Sequence, residues 1–163
     1  MQASVKMDTS GRDGGEPLAD LELRAWRGML AVHAEVTRRL DAQLRAGHDL
    51  TLGAYEVLMF LGGTPQGRLR VSELSHRVLL SVSGMSRMVD RLARDGLVIR
   101  EACADDRRGA EVVLTDAGRE RLAAARATHL RGVREEFLSR FSDAELAALA
   151  DGWDRMLVPR PSS

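Results

Sequence analysis

Ser81, Ser83, Ser86, Arg87 and Arg91, with Asp90 and Arg94, take the outward positions of one short stretch of the chain. Its apolar residues Val82, Met85, Met88, Val89 and Leu92 recur at helical spacing and read as the inward face. Hydroxyls at the start of a helix, beside unsatisfied backbone N–H groups, suit phosphate oxygens. Guanidinium groups further along can reach a phosphate or the edge of a guanine, and Gly84 lets the helix come close to a groove wall. A second set, Asp106, Arg107 and Arg108, sits in a polar stretch between two β-favouring runs, residues 97–101 and 111–114. A guanidinium at such a hairpin tip is favoured in a narrow minor groove, where the potential is most negative. Asp106 would brace Arg107 or Arg108, Arg107 suits phosphate, and Arg70 or Arg77 could reach phosphate from the preceding helix. The competing reading is a solvated helix face, a Ser81 that only caps, and a solvated tip.

These side chains need a frame. Residues 71–78 read as a short helix, capped by Ser72 and with Leu74 and Val78 on its core face. After a break at Leu79-Leu80 comes the candidate recognition helix, residues 82–95, and Gly96 stands where a helix ends in a left-handed residue. Residues 97–114 then form the hairpin, and Leu69 and Arg70 a minimal third strand beside it. Two helices at a steep angle followed by a hairpin make a winged helix-turn-helix. Its second helix fits the major groove of DNA and its basic wing the adjacent minor groove.

The same run resembles the DNA-binding half of the multiple-antibiotic-resistance regulator (MarR) family of bacterial transcription factors. That family's wing has Asp-x-Arg, a short strand closing in Leu-Thr, and a helix with an early glycine. Here these are Asp106-Arg107-Arg108, Leu114-Thr115 and Gly118, and Arg91-Leu92 through Gly96-Leu97-Val98 matches the close of the family's recognition helix. The resemblance places Asp106 and Arg108 on the family's paired Asp and Arg.

At 163 residues, 44% of them hydrophobic, the chain suits one domain with a substantial core. The formal net charge is +0. Between Arg70 and Val112 eight arginines face seven acids, so a positive surface must come from segregation in space. The single cysteine, Cys103, excludes a disulfide framework and a cysteine-based zinc cluster. The four histidines lack metal-ligand spacing, and no cofactor motif is present, so neither metal nor cofactor is expected. The family's peroxide-sensing branch carries its reactive cysteine in the first long helix, which has none here. No apolar run reaches a membrane span, no signal sequence opens the chain, and the expected location is the cytoplasm. Catalytic motifs are missing too, so an enzyme is the least favoured class; a helical interaction module explains the long helices but not the wing.

Residues 1–17 read as a disordered leader. Residues 18–46 form a long helix with two apolar stripes, Leu23, Trp26, Leu30 and His33 on one, Met29, Val32, Val36, Leu40 and Leu44 on the other. Thr51 caps a second helix with Leu52, Tyr55, Leu58 and Met59 inward. Thr115 caps a third, to about Arg140, in which Gly132 is a weak point, and Ser142-Asp143-Ala144-Glu145 is a capping box for the last. The expected fold is mainly α with a small β-hairpin wing. Residues 47–115 are its DNA-binding part, and residues 18–46 and 116–158 a helical dimerisation region. This is more apolar helix face than one small domain hides, and the family's terminal helices interlock between two copies, so a homodimer on double-stranded DNA is expected. The resemblance further implies release from DNA by a phenolic, anionic ligand. Trp26, His33, Tyr55 and Met59 offer two rings and two polar tips for it, or serve as ordinary core.

Overall fold

The computed structural model describes residues 16–102 and 110–158. Cys103, Asp106, Arg107 and Arg108 therefore lie outside the described residues. The elements are α1 (Asp20–His48), α2 (Leu52–Gly62), β1 (Arg68–Arg70), α3 (Val71–Arg77), α4 (Val82–Arg94), β2 (Val98–Ala102), β3 (Ala110–Leu114), α5 (Asp116–Glu136), a 3₁₀ turn (Leu138–Arg140) and α6 (Asp143–Leu157). The chain divides into two compact units, Met1–Ala34 and Glu35–Ser163, with the division inside α1.

In the first unit the Ala19 N–H donates to the Glu22 carboxylate at 2.9 Å and opens α1. Leu23 and Met29 are half-buried, whereas Trp26, Leu30 and Val32 are exposed, so each stripe has exposed apolar members among the described residues.

In the second unit α2, α3, α4 and the sheet close around Leu58, Leu61, Leu74, Met85, Val89 and Val112, all fully buried. Each helix starts where its sequence satisfies the orphan N–H groups. Thr51 Oγ accepts the Ala54 N–H at 3.0 Å, and Asp41 Oδ1 reaches across from α1 to accept the Leu52 N–H at 2.8 Å. Thr115 Oγ accepts the Gly118 N–H at 3.0 Å and donates to the Gly96 carbonyl at 2.8 Å, tying α5 to the end of α4. Ser142 and Glu145 form the expected capping box, with the Ser142 N–H donating to Glu145 Oε2 at 2.8 Å. The antiparallel sheet has the order β1-β3-β2, with Leu69 opposite Val112 and Ile99 opposite Val113. A winged helix-turn-helix is thus present: α3, a turn, α4, and the hairpin strands β2 and β3 with β1 at their side.

Several local expectations are corrected. Helix α1 passes through Gly47 to His48, and it is Asp49, at φ 53°, that turns the chain. Ser72 does not cap α3; that helix begins at Val71, and the Glu73 carboxylate accepts the Arg70 N–H at 2.9 Å. Val82 does not join the core: it is 58% exposed, because the first helical residue has no preceding turn to pack against. Met59 is likewise exposed rather than inward. Gly132 is no weak point. It is buried where α5 crosses α1, and a Cβ there would meet Leu40 Cδ2 at 2.7 Å and the Gln43 side-chain oxygen. Helix α5 stops at Glu136 rather than near Arg140, since Phe137 leaves helical geometry at φ −128°.

Candidate nucleic-acid interface

Along α4, Met85, Val89 and Leu92 are buried while Ser83, Arg87, Asp90, Arg91 and Arg94 are exposed, and Ser86 and Gly84 are half-buried between the two faces. The inward and outward sets fall as a period of 3.6 requires. Ser81 is the N-cap; its Oγ accepts the Gly84 N–H at 3.1 Å and lies 3.2 Å from Ser83 Oγ. Its hydroxyl is therefore engaged in holding the helix start. Gly84 has only Ser81 Oγ, at 3.1 Å, near the place a Cβ would occupy.

The charges segregate. Asp90 Oδ1 accepts from Arg100 Nη1 at 2.9 Å, and the same nitrogen donates to Ser86 Oγ at 3.2 Å. Glu111 and Glu101 pair with Arg68 at 3.1 and 3.6 Å. Glu73 is turned to the backbone N–H of Arg70. With these acids engaged, the exposed side chains of Arg70, Arg87 and Arg91 form no ion pair with another described residue, and Arg77 lies over the Phe60 ring at 5.7 Å from its centroid. Near-neutral bookkeeping along the sequence thus becomes a surface with unpaired guanidinium groups. Arg68 and Arg100 were not among the sequence candidates. Strand alternation held a signal for Arg100: it shares a side of β2 with the buried Val98, and that side packs on α4.

Between the start of α2 and α4 lies a cavity of about 260 Å³, lined among others by Asp49, Thr51, Arg87, Met88, Arg91 and Asp95. Of the aromatic and polar set expected around a ligand, Trp26 and His33 belong to the first unit and are exposed, while Tyr55 and Met59 belong to the second. Tyr55 is only 2% exposed, and its ring centroid stands 4.4 Å from that of His129. Burial raises the Tyr55 pKa, against a smaller opposing influence of Arg126, and lowers that of His129. The His129 Nδ1 is buried without a hydrogen-bond partner among the described residues. No group of three or more metal-ligating side chains occurs among the described residues, and none of their helices is long and apolar enough to cross a membrane.

With this geometry in hand, the chain can be set beside known proteins. Residues 48–109 match the sequence model of the MarR family. The chain is 30% identical over 116 residues to the HTH-type transcriptional repressor YetL of Bacillus subtilis (strain 168), an alignment covering 69% of this chain and 70% of YetL. Among solved structures it is similar to AbsC, a MarR family transcriptional regulator from Streptomyces coelicolor, with a TM-score of 0.80 and 32% identity over 86% of this chain and 95% of that one. It is also similar to Sco3205 of the same organism, a MarR family regulator solved in complex with DNA. There the TM-score is 0.82, with 28% identity over 91% of this chain and 95% of that one.

Proposed function

This chain belongs to the MarR family of transcriptional regulators, and on that premise we propose that it is a homodimeric repressor that binds a pseudo-palindromic operator through α4 and the wing. The observation that carries the reading is the outer face of α4, where Ser83, Arg87 and Arg91 face outward, while Asp90 is paired with Arg100 and Glu101 and Glu111 with Arg68. Repression is inferred from YetL, and contact with DNA from Sco3205. Duplication is supported by apolar residues exposed among the described residues: Trp26 and Leu30 in the first unit, Trp153, Met156 and Leu157 in the second. Two-fold related recognition helices meet the same groove face, so half-site centres should lie ~10 bp apart. Gel shift on the protein's own promoter fragment, paired with sedimentation, tests this. Sequence-specific retention of a dimer supports it, and a monomer with full DNA affinity, or no retention at low salt, rejects it.

A small aromatic anion is proposed to release the DNA. The cavity between α2 and α4 supports a seat there, because Arg87 and Arg91 line it and also face outward, so a carboxylate would compete with phosphate for the same groups. The set Trp26, His33, Tyr55 and Met59 has weaker support, since Tyr55 is packed into the core against His129. Titration of salicylate-like acids against the protein–DNA complex should release DNA at millimolar concentration. Met88→Trp, which fills the cavity, should abolish release; release unchanged in that variant rejects the seat.

A further inference from the structure

Where α3 turns into α4, three apolar side chains in four residues face solvent: Leu79, Leu80 and Val82 are exposed by 88%, 37% and 58%. Apolar side chains gathered on an otherwise polar surface mark a place of contact. The turn is fixed by Leu79 in the left-handed region, at φ 55°, and by the Leu80 N–H donating to the Ser75 carbonyl at 3.0 Å. Val82 is the first residue of α4 and stands one turn before Ser86 on the same row of the helix. Helical Cα–Cβ bonds tilt toward the N-terminus, so the Val82 isopropyl group projects beyond the helix end, into whatever that end meets. Its neighbour Ser81 is committed to capping.

Resting on the reading of α4 as the DNA-facing helix, we propose that Val82 contacts the C5 methyl group of a thymine in the major groove and so selects thymine at one position of each half-site. Thymine is the one standard base that shows a methyl group there, and hydroxyl or guanidinium groups have nothing to offer it. An exposed isopropyl group does. The setting favours DNA over a protein partner for this patch, because the exposed guanidinium groups of Arg87 and Arg91 on the same helix suit a polyanion.

The test is a thymine-to-uracil scan of an operator duplex selected from the host genome, read by fluorescence anisotropy with wild type, Val82→Ala and Val82→Thr. Uracil lacks only the methyl group. At one position per half-site it should weaken wild type roughly fourfold, the effect of one buried methyl-sized group. Val82→Ala should lose that affinity on the thymine duplex and be indifferent to uracil at that position. Val82→Thr, which keeps one methyl group, should still show the uracil penalty. Uracil penalties equal in wild type and Val82→Ala at every position overturn the inference and leave the DNA-binding reading intact. A lowered melting temperature of Val82→Ala assigns the side chain to the fold and overturns it too. If no selected duplex is bound at all, the reading of α4 falls, and this inference with it.

Discussion

Arg100 stands on β2 with its Nη1 3.2 Å from Ser86 Oγ and 2.9 Å from Asp90 Oδ1. Both partners are on α4, and Asp90 is the acid there that would most directly oppose a phosphate backbone. The pair is largely exposed, so its contribution to stability is at most ~1 kcal/mol. Its effect on the field in front of α4 is larger, because it cancels a carboxylate between the rows that carry Arg87 and Arg91. Arg100→Ala is therefore expected to weaken operator binding severalfold with little change in melting temperature, and Asp90→Asn in the same chain to restore it. Anisotropy titration alongside thermal melting checks both. Restoration failing, with the fold intact, would show that Arg100 touches DNA itself. The glycine that opens α5 acts at the same scale: a Cβ on Gly118 would meet the carbonyl oxygen of Leu97 and Leu114 Cδ1 at 2.7 Å, so the helix approaches the hairpin as closely as it does only because that side chain is absent.

Among the elements, the α3–α4 turn stores strain. Leu79 is left-handed and 88% exposed, so it gives up backbone energy without gaining packing. A left-handed L-residue costs ~1–2 kcal/mol and glycine loses ~0.5–1 kcal/mol of extra chain entropy, so Leu79→Gly should stabilise the protein by about 0.5–1 kcal/mol. Denaturant unfolding measures this, and a destabilised variant would mean that the leucine side chain is covered in solution. The order of elements was legible in the sequence because periodicity, the caps Thr51, Thr115 and Ser142, and the stop at Gly96 (φ 73°) are local signals. What was not legible depended on a partner from elsewhere. Val82 fits the inward pattern of α4, yet a helical period does not say whether anything covers the first turn. Gly132 looks like a flaw until α1 is laid across it. Of the candidate site, the outward positions of α4 followed from spacing, while the pairing that frees its arginines needed Arg68 and Arg100 from the sheet.

Helices α2 and α5 meet through Tyr55 and His129, whose ring has its Nδ1 buried without a partner among the described residues. Burial lowers the His129 pKa below its ordinary 6.5. Below about 6.5 the unfolded chain takes up a proton that the folded chain resists, so stability is full above this pH and falls as the pH drops toward the lowered folded value. Glu35, held at about 2 by hydrogen bonds from Arg38 and Arg39, titrates well below this window, whereas burial raises the Glu56 carboxyl, which acts with the opposite sign. Melting temperature should thus decline as the pH falls below the ordinary histidine value of 6.5, and His129→Leu should flatten the decline. A decline of the same size in His129→Leu would place its origin elsewhere.

Whether the outer face of α4 reads DNA is tested by one anisotropy experiment: wild type and Arg87→Ala titrated against a genome-selected duplex and a scrambled one of equal length at the same salt. Wild type is expected to prefer the selected duplex by ~10³ or more. Arg87→Ala is expected to lose ~1–3 kcal/mol per half-site on that duplex while melting as wild type does. Equal affinity of wild type for the two duplexes, or an Arg87→Ala variant that binds as wild type does, would contradict that role for α4.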